Sequence, residues 1–523
     1  MKLSRAHMLE RARARDPRYD GRFLTGVTST GIYCLPSCPA RSPKPENVVH
    51  FATPAEARNA GLRACRRCRP DDFYKGYDPD EEDAATVARE VVSAPARFAD
   101  ARALAARTGV GLTKLHGLFR AHFHDTPASF LARAKVAHAC QRLQDGARVL
   151  DAALDAGFDS ASTFYANFTP RVGMTPDAYR KLGASASFTL RLPAGYRTEE
   201  AFAFHGRDPE GIGERVVGRE LVKAIRIDEV PVVLRVQFGR RGASNGLVRC
   251  SLEGARLDRR ARYAAHALAV RLLNLEADPG DFEARSRRSP LRGLIRRRTG
   301  LRVPRTADAF EALVWTVVGQ QVNVPFAVTL RRRVLARCGT EVSGLRAPPT
   351  PAQLAAVAVS DLRALQFSAR KAEYLCELGA ACVRGDLDLA PDLATPAPRL
   401  YRRIVAQRGF GPWSASYALM RGFGFLDCAP VDDVGLQTAL HRLFALPERP
   451  DASATAALLA PFAPWRSLAT YHLWASLDDG EAESVDAPPA AQPTRARRAR
   501  ARPSLPVVSP SATRTARTKE SNP

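Results

Sequence analysis

Two cysteine pairs, Cys34-x3-Cys38 and Cys65-x2-Cys68, stand 26 residues apart in a stretch rich in Gly, Pro and Arg. Tetrahedral Zn2+ accepts four thiolates at such spacings, so the pairs predict a small module folded around one metal ion. Ten cysteines in 523 residues are too few for a disulfide scaffold. The tight pairs therefore point to metal in a reducing compartment, and the six scattered thiols read as buried structural residues. Spacing alone describes a closed structural zinc ribbon, with a reactive thiolate as the alternative.

The remaining chain is too long for one core and divides into several domains. Lysine and arginine exceed aspartate and glutamate by 78 to 54, a net charge of +24 that calls for a polyanionic partner, nucleic acid first. The charged opening MKLSRAHMLERARARD lacks the apolar centre of a signal peptide, and no apolar run reaches the roughly 18–20 residues of a membrane helix. A soluble cytoplasmic chain with no membrane partner is expected. Helical periodicity starts at PDEEDAATVAREVV and lasts to about Leu182; short alternating runs such as FTLRL, KAIRI and VVLRVQF then predict an antiparallel sheet. Helical patterns return from about Ala261 to Asp478. Residues 490–523 carry eight Lys/Arg and no aromatic residue, which reads as a disordered basic tail. The expected domains are 1–80, 82–183, 187–300, 301–479 and a tail over 480–523, in a multidomain, mainly α protein with α+β parts.

The words STGIYCLPSCPAR, ENVVHF and LRACRRCRPD, within about residues 10–78, closely resemble the N-terminal domain of the Ada family of alkylation-response proteins. The resemblance implies that Cys34 is both a zinc ligand, with Cys38, Cys65 and Cys68, and the acceptor of a methyl group from a DNA methylphosphotriester. Four thiolates on one Zn2+ carry a formal charge of about −2, and methylating one removes part of the charge that repels phosphate. DNA affinity should rise with that transfer, which nothing obvious reverses. Arg41, Arg63, Arg66, Arg67 and Arg69 are candidate phosphate contacts, although arginine runs are often only solvated faces.

Residues 104–130 and 152–179 repeat one pattern. Ala105 and Gly109 recur as Ala153 and Gly157, Phe119 as Phe168, and Thr126-Pro127 as Thr175-Pro176. A small residue, a glycine four positions on and a closing Thr-Pro cap describe two helix-turn-helix units, although a plain helical bundle shows the same periodicity. Over about residues 84–182 the arrangement resembles AraC-type regulators. The reading helices are then expected near 112–120 and 160–169, with Thr113, Lys114, His116, Ser160, Ser162 and Thr163 as groove contacts. Promoter DNA and RNA polymerase are the implied partners of a protein expected to be monomeric and nucleoid-associated.

In Arg408-Gly-Phe-Gly-Pro-Trp-Ser-Ala-Ser-Tyr417, Gly409 and Gly411 allow backbone N–H groups to approach a phosphate, and Pro412 suits a first helical turn. Together with APVDDVGLQTAL at 429–440, FEALVWTVVGQQVNV at 310–324 and APWRSLATYHLWA at 463–475, the motif resembles the helix-hairpin-helix glycosylase superfamily, most closely its AlkA-like members. With the β-rich stretch from Phe188, the likeness covers about 290 residues. It implies that Asp433, rather than Asp432, is catalytic, although a bare Asp-Asp also suits a cap on the helix starting near Val434. It places Trp413, Tyr417 and Trp474 around a flipped alkylated base of the 3-methyladenine or 7-methylguanine kind.

Where related bifunctional enzymes keep a Schiff-base lysine this chain has Trp413, so a monofunctional glycosylase is expected. The wedge that fills the emptied stack aligns with the polar Gln321. Neither Pro-Cys-His-Arg nor any Cys-His pair occurs, so the second methyltransferase usual in Ada proteins is not expected.

Overall fold

The structure is a computed structural model that describes residues 3–16, 19–76, 78–239, 246–254, 258–390 and 393–478; the basic tail expected over 480–523 lies outside them. It is multidomain and mainly helical, with a four-stranded sheet, a five-stranded sheet and a two-stranded antiparallel ribbon, Thr340–Val342 with Leu345–Ala347, among the described residues. No described helix is long and apolar enough to cross a membrane.

The first module is a sheet of β1 (Leu24–Val27), β2 (Ile32–Cys34), β3 (Val48–Phe51) and β4 (Arg63–Ala64) in the order β3-β1-β2-β4. Its apolar cluster has only Leu24, Tyr33, Leu35, Ala57 and Leu62 fully buried. So small a core supplies little hydrophobic stabilisation and leaves the fold dependent on the cysteine cluster. The parallel pairing of β2 with β4, Tyr33 opposite Ala64, carries Cys34 to the turn that holds Cys65 and Cys68.

Seven helices follow: α1 (Pro79–Ser93), α2 (Ala101–Thr108), α3 (Leu112–Phe123), α4 (Pro127–Gln144), α5 (Val149–Asp155), α6 (Ala161–Val172) and α7 (Pro176–Lys181). They form two helix-turn-helix units, α2–α3 and α5–α6, with α4 between them. Both expected Thr-Pro caps are present. Thr126 accepts from Ser129 N at 3.1 Å and Thr175 from Ala178 N at 3.3 Å, and each proline opens the helix that follows. Lys135 on α4 is buried and donates to Ala99 O at 3.2 Å and Gly157 O at 2.8 Å, tying the two units to one post.

The second sheet joins β5 (Ser187–Arg191), β6 (Glu214–Val217), β7 (Glu220–Ile227), β8 (Val230–Phe238) and β9 (Leu247–Gly254) in the antiparallel order β5-β9-β8-β7-β6. One face packs on α8 (Arg259–Leu272) and on the second helix-turn-helix unit, so a single apolar cluster runs from Val136 to Ala307. The last lobe includes α9 (Ala309–Gly319), α10 (Val324–Cys338), α11 (Ala397–Val405), α12 (Pro412–Tyr417), α13 (Val434–Leu443) and α14 (Arg466–Ser476). Their apolar faces share a second large cluster.

Buried charges pin the sheet to this lobe. Lys223 Nζ on β7 lies 2.5 Å from Glu214 and 2.8 Å from Glu311 on α9, and Arg331 on α10 reaches both carboxylates at 3.1 and 2.9 Å. Burial alone would raise the Glu311 carboxyl, yet Lys223 and Arg331 hold it down at about 2. Removing one member would strand a buried charge, so the network favours one fixed arrangement of the two parts.

Candidate functional site

Cys34 ends β2, Cys38 follows in the next turn, and Cys65 and Cys68 lie just beyond β4. Their four sulfur atoms lie within 4.8 Å of one another. Backbone amides of Leu35 and Arg67 donate to Cys68 Sγ and Cys65 Sγ, each at 3.4 Å, which suits anionic sulfur. Shared hydrogen bonds with Cys38 and Cys68 push the Cys34 thiol far up, while bonds from Cys34 and Cys68 pull Cys38 down. A dication resolves this competition for protons, and the donor set fits one tetrahedral Zn2+. Arg41, Arg63, Arg66 and Arg67 are exposed around the cluster, whereas Arg69 is held by Asp72 at 2.8 Å.

In the helical lobe the chain turns sharply at Gly409, whose φ of +92° favours glycine; a Cβ there would also lie 2.4 Å from the Tyr374 ring. Gly411 then leads into α12, and a Cβ on it would meet nothing. Trp413 and Tyr417, one turn apart on α12, stack with centroids 5.6 Å apart at 25°, and Trp474 of α14 adds a third ring 6.3 Å from Tyr417.

Asp433 faces this aromatic wall. Trp413 Nε1 donates to its Oδ2 at 3.0 Å and Trp474 Nε1 to its Oδ1 at 2.9 Å, while Oδ1 also caps α13 by accepting from Leu436 N at 2.8 Å. The two sequence readings therefore coexist: the residue that caps α13 is also the carboxylate fixed between two indoles. Asp432 is exposed. Gln321 is exposed in a left-handed conformation with φ +55°, and neighbouring Gln320 donates to Gly409 O at 2.8 Å, joining the wedge segment to the hairpin. A non-glycine residue held there stores local strain, common at functional sites.

Sequence reasoning missed two arginines behind the wall. Arg421, buried in a π-helical turn after α12, lies 4.7 Å from the Tyr471 centroid, 5.6 Å from Trp474 and 6.0 Å from Tyr417, and donates to Pro304 O at 2.8 Å. Arg207 sits 3.9 Å over Trp315 and 4.3 Å over Phe204. A lone arginine inside the apolar run Ala418–Phe423 was the available signal for the first. Nothing in the sequence around Arg207 marked the second.

Of the expected groove contacts, Thr113 and His116 on α3 and Ser162 and Thr163 on α6 are exposed, Ser160 caps α6, and Lys114 is ion-paired with Asp80 at 3.1 Å.

An aspartate fixed between indoles behind a glycine hairpin suits the chemistry of base excision. In a chain that also carries paired helix-turn-helix units and a four-thiol module, it defines a DNA-repair enzyme joined to a DNA-binding regulator. Family models agree: the metal binding domain of Ada matches residues 7–71, a helix-turn-helix domain matches 104–182, and the HhH-GPD superfamily base excision DNA repair protein matches 314–464. A Mycobacterium tuberculosis protein described as a probable bifunctional transcriptional activator/DNA repair enzyme AlkA is 32% identical over 497 residues, 89% of this chain and 95% of its own.

The Escherichia coli bifunctional transcriptional activator/DNA repair enzyme Ada is 34% identical over 34% of this chain and 50% of its own. The DNA-3-methyladenine glycosylase 2 of the same organism is 31% identical over 34% of this chain and 61% of its own. This chain belongs to the AlkA family of bifunctional transcriptional activator/DNA repair enzymes.

Proposed function

We propose that this protein senses methylated DNA through Cys34, activates transcription through its helix-turn-helix domain and excises alkylated bases through Asp433. The observation that carries the excision reading is the Asp433 carboxylate, whose two oxygens are fixed by Trp413 and Trp474. Those rings can clasp an electron-poor base while the carboxylate faces its sugar. As the C1′–N bond breaks, the electron pair leaves with the base, positive charge grows on the sugar opposite Asp433, and a water oxygen takes its place at C1′. A cationic 3-methyladenine or 7-methylguanine departs without strong acid catalysis. With an indole at 413 in place of a lysine, excision is monofunctional and cuts no strand.

Gly409, Gly411 and Arg41 contact DNA phosphates, and Gln321 occupies the emptied stack. At the cysteine module a Cys34 S–CH3 bond forms as the O–CH3 bond of a phosphotriester breaks, leaving the electron pair on the phosphate oxygen. Cys34, Cys38, Cys65 and Cys68 would hold a zinc ion, whose charge would keep their sulfurs as thiolates at neutral pH. The methylated protein, a monomer at the nucleoid, then recruits RNA polymerase at promoters.

The test is release of free base from methylated duplex DNA. The parent releases 3-methyladenine or 7-methylguanine, and Asp433→Asn releases at least about a hundredfold less. No release by a folded, DNA-binding parent would leave the lobe a DNA-binding platform in a regulator. Mass spectrometry after exposure to methylphosphotriester DNA checks the sensor: Cys34 gains one methyl group, and an inert zinc clip gains none.

A further inference from the structure

We infer that the first helix-turn-helix unit is a docking module for the repair lobe, and that the second unit alone reads promoter bases; the reading role rests on the activator function proposed above. Thr113, Gly117, Arg120 and His124 fall on successive turns of one face, the face by which α3 would enter a major groove. The lower half of that face is covered. The Arg120 guanidinium lies 5.5 Å from the Trp465 centroid, His124 Nδ1 accepts from Asp427 N at 3.2 Å, and the His124 ring meets Phe425 edge-on at 5.3 Å.

The upper half is neutralised. Lys114 lies 3.1 Å from Asp80 in the acidic first turn of α1 and 3.9 Å from Asp83 just beyond that turn. That same turn grips the repair lobe. Glu81, 2% exposed, accepts from Arg402 at 2.7 Å and from Arg399 at 3.1 Å, and Glu82 accepts from Arg399 at 2.8 Å. Ala394 of the repair lobe is buried in the apolar cluster of α1, α3 and α4.

A groove roughly 12 Å wide accepts a helix only where its face is clear, and the 425–428 segment and Trp465 stand where the duplex would lie. The acidic turn also carries the charge sign of the phosphates it would have to admit. The residues of the second unit 49 positions on from Thr113, Lys114, His116 and Gly117 are Ser162, Thr163, Tyr165 and Ala166; both sets are exposed, while Thr169 and Gly173, the counterparts of Arg120 and His124, are half-buried and buried. Both units share one turn chemistry and an exposed upper half of the face, but in the first that half borders an acidic turn that pairs its lysine, whereas the second presents only neutral residues there.

Selection from a random duplex pool by the full-length chain tests the assignment. Ser162→Ala/Thr163→Ala and Tyr165→Ala should erase the enriched sequence, and Thr113→Ala/His116→Ala should leave it unchanged. In a Glu81→Arg/Glu82→Arg chain the enriched site should lengthen by a second contact region about one helical turn away, now sensitive to Thr113→Ala. A changed consensus from Thr113→Ala/His116→Ala in the otherwise unaltered chain overturns the inference.

Hydrogen exchange decides the docking independently of DNA. In Glu81→Arg/Glu82→Arg, peptides covering 112–124 and 425–428 should exchange at least about tenfold faster, with α9 unchanged and protection restored by adding Arg399→Glu/Arg402→Glu. Unchanged exchange at 112–124 overturns the docking. Absence of any enriched sequence from every chain would instead remove the activator reading, while the exchange result still stands or falls alone.

Discussion

The two helix-turn-helix units share their internal chemistry and differ in what lies outside them. Each closes with a Thr-Pro cap and turns at a left-handed glycine, Gly109 in the first and Gly157 in the second. The first unit, with α1, meets the repair lobe chiefly through polar groups, Glu81 and Glu82 with Arg399 and Arg402 and His124 with Asp427, beside the buried Ala394 and the rings of Phe425 and Trp465. The second is fused to its neighbour by an apolar cluster in which Phe164, Phe168 and Tyr179 pack with residues of the sheet and α8. The difference teaches that a duplicated motif keeps what its own turn requires while its outer faces take on unrelated work. Charged contacts make a joint that charge reversal, acid or salt can loosen, and a common core makes one that they cannot.

The largest test of this contrast lies in the turns. A Cβ at Gly157 would fall 2.6 Å from Ala96 Cα at φ +81°, whereas one at Gly109 meets nothing at φ +67°. Gly157→Ala should cost about 3 kcal/mol or more in thermal or urea unfolding, and Gly109→Ala about 1 kcal/mol. Equal costs would mean that the second unit is no more tightly built than the first. Next comes Lys135→Met, which removes donors from Ala99 O and Gly157 O and leaves two carbonyls in a buried region. A loss of about 2 kcal/mol should appear in the same unfolding measurement.

Acid should then separate the joints. Burial holds His124 down at about 4 despite Asp427, while Arg466 and His122 push it the same way. An undocked His124 near its ordinary value binds a proton more readily, so docking is fully present above about pH 6.5 and weakens as pH falls toward 4. Exchange at 112–124 should rise about tenfold between pH 7 and pH 5 after correction for intrinsic rates, a shift that His124→Gln should remove. The smallest effect is that of salt. Between about 0.05 and 0.5 M, exchange at the first joint should rise a few-fold and at the α6–α8 joint not at all. A response at both joints would erase the distinction.

Features that depend on local chemistry were legible before the structure. The four cysteines needed only their spacing, and the Thr-Pro caps and the Asp433 cap on α13 only hydrogen-bond logic. The helix cap is seen directly, and the same Oδ1 also accepts from Trp474, a contact on which the proposed catalytic role is built. What stayed hidden depends on pairings far apart in the chain. Glu81 reads as part of a solvated acidic run until Arg399 and Arg402, more than 300 residues on, are brought to it. Lys135 and Arg207 were equally silent, because a long cationic side chain looks alike in sequence whether its tip meets water, a carbonyl or an aromatic ring.

The apolar cluster spanning Val136 to Ala307 has a consequence for supply as well as for shape. A regulator and an enzyme that share a core cannot be released from one another by a cut in a linker without exposing that core. Every copy of the sensing half therefore arrives with one copy of the excising half, at a ratio fixed by translation. A cell using this chain can change how much of the response it makes, but not its proportions.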